Sequence, residues 1–208
     1  MTSVHEPTAR EAAGEPSVHL QRKVPGAVSA GVRVVAGGRR VVWVEFDDSV
    51  HKGALSSSAS QVLTNAANTA RDKRLPLVLS MASSGADILE GVAALDGWGQ
   101  AARAISQCSG VVPTIAVVHG PAVSGPALLI GLCDIAIMTN ESYAFVSGPT
   151  MVAQMTGIEV SNEELGGTDI HARQSGVASL VANDLEQDRK STRLNSSHVK
   201  RSRMPSSA

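Results

Sequence analysis

Val111–Gly148 reads VVPTIAVVHGPAVSGPALLIGLCDIAIMTNESYAFVSG, and its reading decides the fold. The β-branched run Thr114 to Val118 has the length of a buried strand, breaks at Gly120-Pro121, and gives way to small and aliphatic residues from Ser124 to Leu132. The order is strand, tight turn, helix start. A helix begun by small residues leaves several first-turn N–H groups uncovered, and the helix dipole makes that spot attractive to an oxyanion. The stretch therefore predicts a site made of backbone rather than side chains.

The same order occurs once more upstream. LPLVLSM at 75–81 reads as a buried strand, Ser83 to Ala86 as a small-residue loop, and a helix is expected to restart at Ile88 with Glu90 in its first turn. Asp96-Gly97 is expected to interrupt that helix before a second piece ending at Cys108-Ser109-Gly110. Two such loops on one sheet edge could point two N–H groups at a single oxygen. Further upstream, GVRVVA and RRVVWVEF flank Gly37-Gly38, a dipeptide suited to the positive φ angles of a two-residue hairpin turn. Trp43 and Phe46 read as core residues there. A helix follows from about Ser57 to Arg74, with Val62, Leu63, Ala66, Ala67 and Ala70 on one face, basic residues in its last turn and Pro76 closing it.

The 208 residues suffice for one core-bearing domain, not two. Residues 1–24 are polar, contain Pro7 and Pro16 and show no period, so they read as a disordered arm. Net charge is -1, which gives the body no basic surface for nucleic acid or acidic membrane. No window is apolar enough for a membrane span and no signal pattern opens the chain, so a cytoplasmic protein is expected. Cys108 and Cys133 have no C-x-x-C partner and read as small buried apolar residues of a reducing compartment. No histidine pair has metal-ligand spacing with a carboxylate, so no metal is expected. His119, ending a buried strand beside the turn, reads as a satisfied core imidazole or one supporting the site from behind, rather than a catalytic one. Residues 188–208 carry six Lys or Arg against one acid and few apolar residues, which reads as a disordered tail foreign to the domain.

Four segments carry a family resemblance: SSGADILEGVAAL at 83–95, VVPTIAVVHGPAVSGPALLIGL at 111–132, YAFVSGP at 143–149 and EVSNEELGGTDIHARQSGVASLV at 159–181. Together they resemble the N-terminal half of the carboxyltransferase (β) subunit of biotin-dependent acyl-CoA carboxylases, of the propionyl-CoA and acetyl-CoA type. The resemblance covers Gly31 to about Asp184, and about half of a family member. It implies an α/β, crotonase-like fold, a spiral of β-β-α units forming a single domain over 25–187. It also implies an acyl-CoA-binding half that needs a biotin-bearing partner. In that family the thioester enolate is held by backbone N–H groups, biotin itself takes the α-proton, and no side-chain acid or base is required. Residue by residue, the donors implied are Gly125, Ser124 and Ala86, and the acyl-CoA-binding positions are Gly85, Asp87, Gly120, Pro121 and Gly148. Carboxybiotin would come from a partner domain, on a biotin carboxyl carrier or biotin carboxylase subunit, and the full-length protein would be a homo-oligomer.

This sequence departs from the family at Ser124-Gly125-Pro126, where Gly-Gly-Ala is usual, and at Asp87, where Arg is frequent. Pro126 has no N–H, which confines the donors to the residues before it. Glu163, Glu164, Gly166, Gly167 and His171 match a family motif assigned to the active-site wall, while Ser161 with Glu164 reads equally as a capping box. Three other readings share the fold. An enoyl-CoA hydratase or isomerase needs carboxylates for its protons, and the corresponding positions hold Leu128 and Thr150. A Clp-type serine protease would use Ser124, but no histidine lies between His119 and His171 to activate it. A non-catalytic module that binds CoA thioesters or assembles with other subunits is the third.

Overall fold

Residues 18–19 and 26–182 are described in the structure, a computed structural model. Gly37 and Gly38 take φ of 79° and 73°, and this turns β2 (Val28–Val35) back on β3 (Arg39–Phe46) in antiparallel register, Val35 facing Arg39. The turn therefore spans three residues, not two. Val18–His19 (β1), within the stretch read as an arm, pair with the outer edge of β2. The rest of the arm and the basic tail at 188–208 lie outside the described residues.

From β3 the chain winds in parallel. Helix α1 (Ser57–Lys73) leads to β4 (Leu77–Ser83), and α2 (Val92–Ser106) leads to β5 (Thr114–Val123). After α3 (Gly125–Ile130) come β6 (Ile135–Thr139) and β7 (Tyr143–Phe145). The last described elements are α4 (Pro149–Thr156), α5 (Asn162–Gly166), α6 (Thr168–Ile170), a π-turn at His171–Ser175, and β8 (Leu180–Ala182). The strand order is β1-β2-β3-β4-β5-β6-β8, with β7 paired to the C-terminal end of β5. Every pairing between strands after the hairpin is parallel among the described residues, the isolated bridge of Tyr143 to Gly167 being antiparallel.

Burial follows the period of each element. Val42, Val44 and Phe46 alternate along β3 into the core, where Ala59, Leu63, Ala66, Ala67 and Ala70 of α1 meet them. Leu63, Leu77, Leu79 and Met81 are fully buried, each stabilising the fold by about 1.5–3 kcal/mol. The other face of the sheet is more polar. There Trp43 is half-buried rather than in the core: its indole N–H donates to Glu45 Oε2 at 2.6 Å, and Arg33 lies over its ring.

Three expectations about elements are corrected. Helix α2 starts at Val92, because Asp87 Oδ1 accepts from Leu89 N–H and holds 87–90 as a turn; the Glu90 carboxylate reaches Ser57 N–H at the start of α1. The helix also runs unbroken through Asp96-Gly97. A Cβ on Gly97 would sit 2.9 Å from Ser60 Cβ, so the glycine lets α1 and α2 approach. Strand β5 continues through Gly120-Pro121 rather than breaking there. Its register against β4 passes from Met81 facing Val118 to Ser83 facing Ala122, so a bulge opposite Ala82 absorbs the Gly-Pro pair.

Candidate functional site

The two small-residue loops meet. β4 and β5 lie side by side, so their C-terminal loops emerge on the same edge; a Cβ on Gly85 would lie 3.4 Å from Val123 O and 3.5 Å from Ser124 Cβ. The first loop is pinned by a short parallel bridge: Leu55 N–H donates to Gly85 O and Asp87 N–H to Leu55 O. That bridge uses the groups on either side of Ala86 and leaves the Ala86 N–H without a partner among the described residues. Gly85 takes φ of 119°, a value that suits glycine, and its N–H bonds Ser83 Oγ at 3.3 Å. In the second loop the Gly125 N–H is likewise unpaired among the described residues.

Ser124 leaves the donor set. Its N–H donates to Phe145 O at 2.9 Å, because β7 pairs with the end of β5 and brings Phe145 opposite Val123. Its backbone, φ 60° and ψ -125°, lies outside the ordinary left-handed well. Such a conformation costs a residue with a Cβ on the order of 1–3 kcal/mol. Helix α3 has only six residues, so the backbone amide itself, more than a summed dipole, is what this loop offers.

Trp98, which sequence reasoning missed, completes the wall behind Gly125. A Cβ at Gly125 would stand 2.7 Å from Trp98 Cδ1 and 2.8 Å from its Nε1, so the indole occupies the space a side chain would need. The indole N–H is buried without a partner among the described residues. A signal existed: Trp98 is one of two tryptophans in the chain, and its helix leads out of the first small-residue loop.

The remaining expected positions have other local duties. Asp87 is tied to its own turn. Gly120 and Pro121 lie inside β5, Pro121 opposite Tyr143 of β7. Gly148 is the N-cap of α4 and packs under Phe145, where its Cβ would be 3.4 Å from the ring. His119 Nε2 sits 3.9 Å from Glu45 Oε1 on the polar face and is buried without a hydrogen bond among the described residues, so the ring is not the satisfied core imidazole of the first expectation.

The segment expected to wall the site instead holds β7 in place. Ser161 Oγ accepts from Glu164 N–H, and Glu164 Oε2 from Ser161 N–H, so the capping box forms. Gly166 packs so tightly that a Cβ would fall 2.1 Å from Ala144 O. His171 lies 2.8 Å from Ala144 O through Nε2 and 2.8 Å from Ser175 Oγ through Nδ1; since a carbonyl only accepts, Nε2 carries the proton of the neutral ring. Burial pushes the Cys133 thiol up to about 12, which keeps it protonated and unreactive at neutral pH. Among the described residues no three His, Cys, Asp or Glu side chains gather as a metal site.

A mainly parallel sheet whose loops bring two open amides to one edge is the architecture of a crotonase-like α/β domain, and the comparisons agree. Residues 9–207 match the carboxyl transferase domain family, to which this chain belongs. The β6 subunit of biotin-dependent acetyl-/propionyl-coenzyme A carboxylase from Mycobacterium tuberculosis is 38% identical over 158 residues, 74% of this chain and 33% of that protein. The propionyl-CoA carboxylase β chain of Rhodococcus erythropolis is 36% identical over 168 residues, 81% of this chain and 35% of that one. A crystal structure of transcarboxylase 12S, with methylmalonyl-coenzyme A and methylmalonic acid bound, superposes with a TM-score of 0.74 at 33% identity, covering 76% of this chain and 31% of that one. The chain thus spans about a third of the length of these relatives, less than the half expected from sequence.

Proposed function

We propose that this domain is the acyl-CoA-binding half of a biotin-dependent acyl-CoA carboxyltransferase. The observation that supports it most is the pair of unpartnered amides, Ala86 N–H and Gly125 N–H, on two loops that run close enough for a Cβ on Gly85 to touch Ser124. A thioester oxygen placed between them gains both hydrogen bonds. When the α-proton leaves, negative charge moves onto that oxygen, and each fixed donor can contribute about 3–4 kcal/mol to holding it. The donors need no reorganisation, because the Leu55 bridge fixes one loop and the Phe145 bond the other. Gly125 must be glycine because Trp98 fills the alternative space.

Two open N–H groups suit a carbonyl or enolate oxygen, and we assign them to the thioester. Carboxybiotin, which would supply the carboxyl group, is therefore assigned to a partner carrying the biotin carboxyl carrier. The relatives named as acetyl- and propionyl-CoA carboxylase subunits favour short acyl-CoAs as substrates. The transcarboxylase 12S structure is that of a hexamer assembly, which favours a homo-oligomer for the whole protein. No helix among the described residues is long and apolar enough to cross a membrane, in keeping with a cytoplasmic enzyme.

The test is calorimetric titration with propionyl-CoA of Gly125→Pro and Gly125→Ala. Both variants crowd Trp98, but only proline removes the N–H. Gly125→Pro should bind at least about tenfold more weakly than Gly125→Ala, as expected for a lost donor to a charge-bearing oxygen. Equal affinity in two folded variants would refute the role of Gly125.

A further inference from the structure

A net charge of -1 hides a basic surface that the winding assembles. β3 and β4 enter the sheet side by side: Val42 faces Leu77 in parallel register, and Val42 N–H donates to Pro76 O at 2.8 Å. The residues just before these two starts, Arg39-Arg40 in one segment and Lys73-Arg74 in the other, therefore come to one edge. All four are exposed, and none has an ion-pair partner among the described residues. Arg71 extends the patch: its guanidinium bonds Gln107 Oε1 at 2.7 Å and so joins the C-terminal ends of α1 and α2, where Arg103 is also exposed. Against these six cations the described part of the edge carries two acids. Asp72 pairs with Arg71 at 3.1 Å, and Asp134 accepts from the N–H and the hydroxyl of Thr114. Helix dipoles account for half of the cations, since Arg71, Lys73 and Arg103 face the negative ends of α1 and α2. Arg39 and Arg40 open a strand and end no helix. Nor do they guard a bare sheet edge, because β3 is paired on both sides, with β2 and with β4.

We infer that this edge, centred on Arg39, Arg40 and Arg74, is a docking surface for an acidic segment of a protein partner. Three of its four unpaired cations at the strand starts are arginines, whose planar forks take a carboxylate with two N–H groups at once. A nucleic acid presents an unbroken line of phosphates, and a single strand also uses aromatic side chains as stacking platforms. Here Asp72 interrupts the cations, and neither segment contains Trp, Tyr or Phe. A membrane surface needs an apolar strip beside the charge, and the hairpin exposes Val34 as its one large apolar side chain. The surface lies where the parallel strands begin, opposite the loops that carry Ala86 and Gly125. A partner held there leaves the candidate site open.

The experiment measures binding of the full chain to a labelled hexaglutamate peptide, to a short DNA duplex and to vesicles containing phosphatidylserine, each at low and at high salt. Arg40→Glu and Arg74→Glu test the two segments separately, so that either reversal suffices if the other fails to fold. Arg173→Glu makes the same charge change at an exposed residue outside the patch. Each reversal in the patch should weaken peptide binding about tenfold, as expected for a lost charge-assisted hydrogen bond, and Arg173→Glu less than about twofold. Arg40→Lys should fall between wild type and Arg40→Glu, because it keeps the charge and loses the fork. Wild type that binds no peptide at low salt overturns the proposal. Equal losses in Arg40→Glu and Arg173→Glu also overturn it, because net charge alone is then being read. Tighter binding of DNA or of vesicles than of the peptide overturns the choice of an acidic protein segment as the occupant.

Discussion

At Gly166 one hydrogen atom decides the packing. A methyl group there would fall 2.1 Å from Ala144 O, a backbone atom that also receives His171 and cannot withdraw cheaply. Gly166→Ala should therefore destabilise the domain by about 1–3 kcal/mol, read as a lower urea midpoint with an unchanged slope. An unchanged midpoint would show that β7 is not held this way. The capping box at Ser161 and Glu164 was legible in sequence, because its partners are three residues apart and the chemistry is local. The state of Ser124 was not. Its amide is taken by Phe145, a residue in another strand, and no local pattern announces a hydrogen bond between β7 and the end of β5.

Elements with one clear period were legible. Helix α1 runs over Ser57–Lys73 with Arg74 in the left-handed region, because its alanine stripe, its N-cap Ser56 and the following Pro76 all agree. Elements whose breakers have a packing purpose were misread. Gly120-Pro121 is absorbed by a bulge, and Gly97 marks a close helix crossing rather than an interruption. That crossing has a measurable sign. In an exposed helix Gly→Ala stabilises by up to about 1 kcal/mol, but Gly97→Ala places a methyl 2.9 Å from Ser60 Cβ and 3.3 Å from Ser57 Cα. Gly97→Ala should lower the melting temperature. A rise would mean that α1 and α2 have room between them and that propensity governs the position.

On the scale of the molecule, the crotonase-like class and the family were legible because several separated segments agree with one winding of strand, loop and helix. What sequence could not supply is the meeting of the two loops. That follows from β4 and β5 being parallel neighbours, a pairing made across the intervening α2, and from β7 returning to the end of β5. The candidate site is thus a product of topology: amides from residues 86 and 125 come to one edge, with Trp98 behind one of them. Nuclear magnetic resonance tests this most directly, by following the amide protons of an isotopically labelled chain during titration with propionyl-CoA and, separately, with free CoA. The account predicts saturable downfield shifts of the Ala86 and Gly125 amides with propionyl-CoA, larger than those with free CoA. Saturation with neither amide moving would contradict it.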